Sequence, residues 1–162
     1  MYMKISQMIK REDFYRINAE TLDRYFGQYT DVKTKLYVYP QLNAIITARP
    51  SKQVKEYLLC EYKVRGSYVK RMIASLYVEI CLSSLGIMSS HKYEVASDVT
   101  SDVLIYPCNK KYRIFDFAEN VTEVIPKESF PLTNLKREIE FRTSRGIPDF
   151  VPRMISYSDR SE

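Results

Sequence analysis

Apolar positions recur along this chain in two different periods, and the change from one to the other divides it. Val69, Met72, Ile73, Leu76, Tyr77 and Ile80 fall at helical steps of three and four residues. This is the strongest periodic signal in the sequence. It predicts a helix from Ser67 whose apolar face looks into a core, with Gly86 as its end. Ile73 and Leu76 lie at the centre of that face and are expected to be buried. A shorter helix is predicted just upstream, opened by Pro50 with Ser51 as its N-cap, running to about Val64 and meeting Gly66.

The pattern elsewhere is less regular. Residues 3–27 read as a helix on the spacing of Phe14, Ile17, Thr21, Leu22 and Tyr25, with Gly27 as a stop. Residues 35–40 and 42–47 read as two short strands around Pro40. Composition shifts near Ser89 and Ser90, and Ser97, Asp98, Thr100, Ser101 and Asp102 form a polar stretch. Beyond it the period becomes two. Strands are predicted over 103–106, 112–117 and 121–125, joined by turns at 107–111 and 118–120. A helix follows from Leu132 to about Arg145, ended by Gly146 and Pro148, and a last strand covers 150–157.

These elements predict an α+β protein in two parts. Residues 1–95 form a mainly helical N-terminal subdomain with a short strand pair. Residues 96–162 form a small antiparallel sheet with one crossing helix. The second part is too small to be robust alone, so the two are expected to share a core.

Composition narrows the picture in a few respects. Hydrophobic residues make up 45% of the 162, enough for a packed interior rather than a disordered chain. The formal charge of +5 suits anionic partners without choosing among them. Cys60, Cys81 and Cys108 are odd in number and widely spaced, which argues against a disulfide framework or a zinc site. Cys60 and Cys81 fall in apolar helical patterns and read as small core residues. The N-terminus carries charges without a long apolar run, so neither a signal peptide nor a membrane span is expected. The reading is of a cytoplasmic protein with no membrane partner.

The order strand, turn, strand, turn, strand, helix, strand over roughly 100–158 resembles the N-terminal lobe of the protein-kinase-like fold, of the aminoglycoside-phosphotransferase type. Lys127 stands where that family places its phosphate-binding lysine. Glu138 stands where the helix glutamate would pair with it, and Phe150, Val151 and Pro152 look like the start of the strand that follows. The resemblance implies the N-terminal, nucleotide-cradling part of a phosphotransferase, with ATP and Mg as cofactors. The turn at 107–111 has no glycines to bring backbone amides to phosphate, so Lys110 and Lys111 would meet it with their side chains. No His-x-Asp catalytic loop occurs in the sequence. Ile114, Phe115, Asp116 and Phe117 look like a metal-binding Asp-Phe-Gly, but they precede the lysine and lack the glycine, so they read as hairpin. The chain by itself is therefore expected to be catalytically incomplete, with a catalytic lobe or other protein chain as its partner.

Two alternatives compete with that reading. The 14 Tyr and seven Phe supply the amphipathic surface that interfaces use, which fits a non-catalytic protein-interaction module. Lys63, Arg65, Lys70 and Arg71 span the Gly66 break between two helices, with Lys52 and Lys55 upstream, and a helical hairpin of this kind can present charge to a nucleic-acid backbone. Glu56 and Glu61 interrupt that patch, and the plainer reading is a solvated face over a core. His91, the one histidine, reads as a loop residue and cannot anchor a metal alone.

Overall fold

The computed structural model describes residues 15–17, 22, 31–63, 67–127 and 131–144. The fold is α+β. Its described elements run β1 (Thr34–Tyr39), β2 (Ala44–Thr47), α1 (Lys52–Lys63), α2 (Tyr68–Ser83), β3 (His91–Val95), β4 (Val103–Pro107), β5 (Lys111–Asp116), β6 (Val121–Pro126) and α3 (Leu132–Thr143). All six strands belong to one antiparallel sheet in the order β3-β1-β2-β4-β5-β6. The chain separates into two compact units, Met1–Ile125 and Pro126–Glu162, and α3 belongs to the second.

Strict alternation along the strands gives the sheet two apolar faces. Val38 is registered with Ile45, Ile45 with Ile105, and Ile105 with Ile114, so one aliphatic row crosses four strands. That row joins Leu36, Val95, Val103 and Tyr112, and is covered by Tyr15, Ile17 and Leu22. The Tyr112 hydroxyl donates to the Arg16 carbonyl, fastening the N-terminal segment to this face. One residue along, Tyr37, Ile46, Leu104 and Phe115 make the opposite row. Val54 and Leu58 of α1 and Val78, Cys81 and Leu82 of α2 pack on that side.

Local signals place the two helices. The Ser51 hydroxyl accepts the Val54 amide at 3.4 Å, the N-cap bond expected of it. The Ser51 amide in turn donates to the Ser101 carbonyl at 2.8 Å, which ties the start of α1 to the approach to β4. At the far end of α2, Ser84 donates from its hydroxyl to the Cys81 carbonyl at 2.7 Å. Gly86 then takes a φ of 91°, and a Cβ there would overlap the Tyr37 ring. The chain returns through the Ser90 amide, which donates to Val38 O at 2.9 Å and leads into β3.

Several expectations are met and several are corrected. The three strands after residue 102 and the helix from Leu132 stand as read. Asp116 caps the β5–β6 turn, its Oδ1 accepting the amides of Ala118 and Glu119, as a hairpin residue would. Composition puts a boundary near residue 95, yet the sheet joins strands from both sides of it, because β2 pairs with β4. The helix read over 3–27 lies outside the described residues except at 15–17 and 22, where Tyr15 and Leu22 are helical and Arg16 and Ile17 are not. The strand read over 150–157 lies outside the described residues. His91, read as a loop residue, opens the edge strand β3. Cys60 is exposed, and only Cys81 of that pair is a core residue. The largest correction concerns α2. Ile73 is 60% exposed and Leu76 62%, so the face read as a core face looks outward.

Candidate functional site

Helix α2 is apolar on two opposite sides. Val78, Cys81 and Leu82 point to the sheet and are buried. Val69, Met72, Ile73, Leu76 and Ile80 occupy the other side and are exposed, as is Tyr68 at the helix start. Past the helix end, Leu85, Ile87 and Met88 extend the exposed apolar surface, Ile87 being 86% exposed. Helices that are apolar all round normally have both sides covered. Large contiguous apolar surfaces on monomeric proteins mark interaction sites.

The support beneath the stripe is firm. Val78, Cys81 and Leu82 lie against Tyr39, Leu42, Ala44, Ile46 and Leu104, all buried. Burial of Tyr39 pushes its hydroxyl pKa above 10.0, opposed by hydrogen bonding with Ser84 and aided by the neighbouring Cys81. Under α1, the Tyr57 ring lies 5.3 Å from that of Phe115 and 5.5 Å from that of Phe117. Burial, and then the Glu61 carboxylate, raise the Tyr57 hydroxyl in the same direction. Tyr39 and Tyr57 thus favour the neutral phenol where they pack.

Among the described basic residues of the helical hairpin, Lys70 and Arg71 stand together and Lys52 is paired locally. Lys70 and Arg71 are exposed in the first turn of α2. Lys63 closes α1, and Arg65 lies outside the described residues. Lys52 is engaged with Glu56 at 3.6 Å, both largely exposed. Beside Lys70 and Arg71 the exposed surface is Val69, Met72 and Ile73. Phosphate backbones are met by cations and polar groups, and an apolar ridge gains nothing there.

The residues implied by the kinase-like resemblance lie on the expected kinds of element. Lys127 directly follows β6 and is half-buried, and Glu138 is half-buried on α3. One oxygen of the Glu138 carboxylate accepts from Arg142, at 3.2 Å from Nη2 and 3.3 Å from Nε, one helical turn on. The carboxylate therefore already has a guanidinium partner within its own helix. Lys110 is exposed in the β4–β5 turn, and Lys111 opens β5. In that turn the Cys108 amide donates to the Lys111 carbonyl at 2.8 Å, which closes the hairpin without glycine.

His91 opens β3 with both ring nitrogens engaged. Nδ1 lies 2.9 Å from the Ser90 hydroxyl and Nε2 lies 3.0 Å from the Tyr93 hydroxyl. Tyr93 donates onward to the Tyr15 carbonyl at 3.3 Å. The series ends on a backbone carbonyl rather than a carboxylate, and Ser90 also donates to Val38 O at 3.3 Å. These bonds fasten the edge strand and the N-terminal segment to β1 and do not form a nucleophile with its base.

Sequence reasoning placed Val69, Met72, Ile73, Leu76, Tyr77 and Ile80 on one core face, and of these Tyr77 packs against the core while the other five are exposed. A signal for the true arrangement was present. Ala74, Val78, Cys81 and Leu82 form a second set at helical spacing, on the far side of the helix. Set against protein-family models, curated proteins and solved structures, the chain matches none.

Proposed function

We propose that this protein is a non-catalytic interaction module that docks a helix of a protein partner along α2. The observation that supports this most directly is the exposed row Val69, Met72, Ile73, Leu76 and Ile80 on a helix whose other side is anchored in the core. Val69, Ile73, Leu76 and Ile80 are spaced four, three and four residues apart, the seam of one helix laid against another. The occupant is thus an amphipathic helix with aliphatic residues at the same spacing. A cytoplasmic setting suits this role.

A labelled synthetic helix of ~20 residues, long enough to form stable turns and carrying Leu at this spacing, tests the proposal by fluorescence anisotropy. Saturable binding to the chain is expected, weakened at least ~10-fold by the joint change Ile73→Asp and Leu76→Asp, as for loss of central anchors. Equal binding by both chains, or none by either, ends this reading.

The nucleotide-cradling lobe remains a second reading, favoured by the succession β4, β5, β6 and α3 with Lys127 after β6 and Glu138 on α3. Titration with fluorescent ATP and Mg separates the two. Binding that is lost on Lys127→Ala supports the lobe, and absence of binding removes it.

A further inference from the structure

We propose that the helix that docks on α2 is α2 of a second copy, packed antiparallel about a two-fold axis near residues 73–76. The proposal rests on the reading of α2 as a docking face and names its occupant. Three properties of the helix point to its own copy.

The first is self-complementary spacing. Val69, Ile73, Leu76 and Ile80 take heptad positions d, a, d and a. An antiparallel copy sets Ile73 against Leu76 of the other chain and Val69 against Ile80, so aliphatic residues meet aliphatic residues along the whole seam. A two-fold interface requires this self-matching of one surface patch.

The second is charge. The first turn of α2 carries Lys70 and Arg71 and no acidic residue, which opposes its own dipole, and its last turn carries no basic residue. A parallel pair would stack two basic ends. An antiparallel pair separates the two basic ends and sets each at the level of the negative dipole end of the other helix.

The third is exposure. Tyr68, Val69, Met72, Ile73, Leu76 and Ile80 are each 47–73% exposed, so the same row on a second copy finds apolar surface to cover over the length of the helix. A lipid surface is a weaker match, because Glu79 flanks the stripe near its C-terminal end.

Sedimentation velocity on the full chain, at increasing concentration up to about 100 μM, reads the association. A monomer–dimer equilibrium is expected. The Ile73→Asp/Leu76→Asp chain should sediment as a monomer throughout with unchanged circular dichroism. Orientation is read by disulfide trapping in a Cys60→Ser background, which removes the exposed native thiol. Val69→Cys and Ile80→Cys together should trap a covalent dimer, and each alone should not. The two positions lie ~16 Å apart along one helix, too far for a bridge within a chain.

A monomer at every concentration overturns the proposal. If that monomer still binds the synthetic helix through Ile73 and Leu76, the docking reading survives and only the second copy is lost; if it does not, both fall. A dimer trapped by Val69→Cys alone overturns the antiparallel arrangement. A monomer that co-sediments with phosphatidylcholine–phosphatidylglycerol vesicles, and loses this with Ile73→Asp/Leu76→Asp, overturns the proposal in favour of a membrane surface.

Discussion

Strand β4 and helix α2 are both apolar elements, and they meet opposite fates. In β4, Val103 and Ile105 enter one core and Leu104 the other, so both sides are covered. In α2, Val78, Cys81 and Leu82 are buried and Tyr77 packs half-buried beside them, while the row around Ile73 and Leu76 is left outside. The sheet has two faces and needs one layer on each. Among the described residues, helices α1 and α2 form the layer on their side. Apolar residues beyond the number a core takes serve another purpose, because exposing them costs solubility and adds nothing to folding. β4 therefore stabilises the chain, and the outer row of α2 is available for association.

This contrast fails or sharpens under substitution. Leu104→Ala in β4 should cost about 2–5 kcal/mol in denaturant unfolding, by lost burial and a residual cavity. Gly86→Ala should follow at about 1–3 kcal/mol for a non-glycine residue held at positive φ, with displacement of the Tyr37 ring added. Because Gly86 sets the exit from α2, a loss near zero there would mean that α2 is loosely attached.

The core under the N-terminal segment has a pH signature. Burial pushes the Tyr112 hydroxyl from 10.0 up to about 12, with nearby Tyr93 adding to it. The folded chain thus favours the neutral phenol. This contribution is complete below pH 10 and is lost as pH rises through 12, so stability should fall across that window. Tyr112→Phe should flatten that fall, as followed by urea unfolding at several alkaline pH values. An unchanged slope would mean that Tyr112 is not held by the N-terminal segment. The smallest effect is expected from Leu76→Ala, within about 0.5 kcal/mol at dilutions where the chain is monomeric, as for other surface changes. A loss of the size seen for Leu104→Ala would show that the outer row is covered after all.

Much of the sheet was legible in advance. The strands after residue 102 alternate cleanly and are separated by polar turns, so β4, β5 and β6 follow from local pattern. Strand β3 was hidden because His91, Lys92, Tyr93, Glu94 and Val95 include only two apolar residues, and its partner β1 lies far back in sequence. The pairing of β2 with β4 was hidden for a related reason: register between Ile45 and Ile105 is set by packing on both faces, and no local signal carries it. For α2, periodicity fixed which residues share a side. It does not say whether that side meets a sheet, another chain or water. A narrower second row, Val78, Cys81 and Leu82, takes the core.

The most direct measurement is the rate of maleimide labelling of a thiol in the middle of the outer row, in a Leu76→Cys, Cys60→Ser chain under reducing conditions, followed across dilution. Fast labelling in dilute solution, slowing steadily as concentration rises, is the expected result: the row is open in one chain and covered by a second. Slow labelling at every dilution, matching the buried Cys81 thiol, would show that the row is covered within the chain and would contradict the assignment of α2 as a docking face.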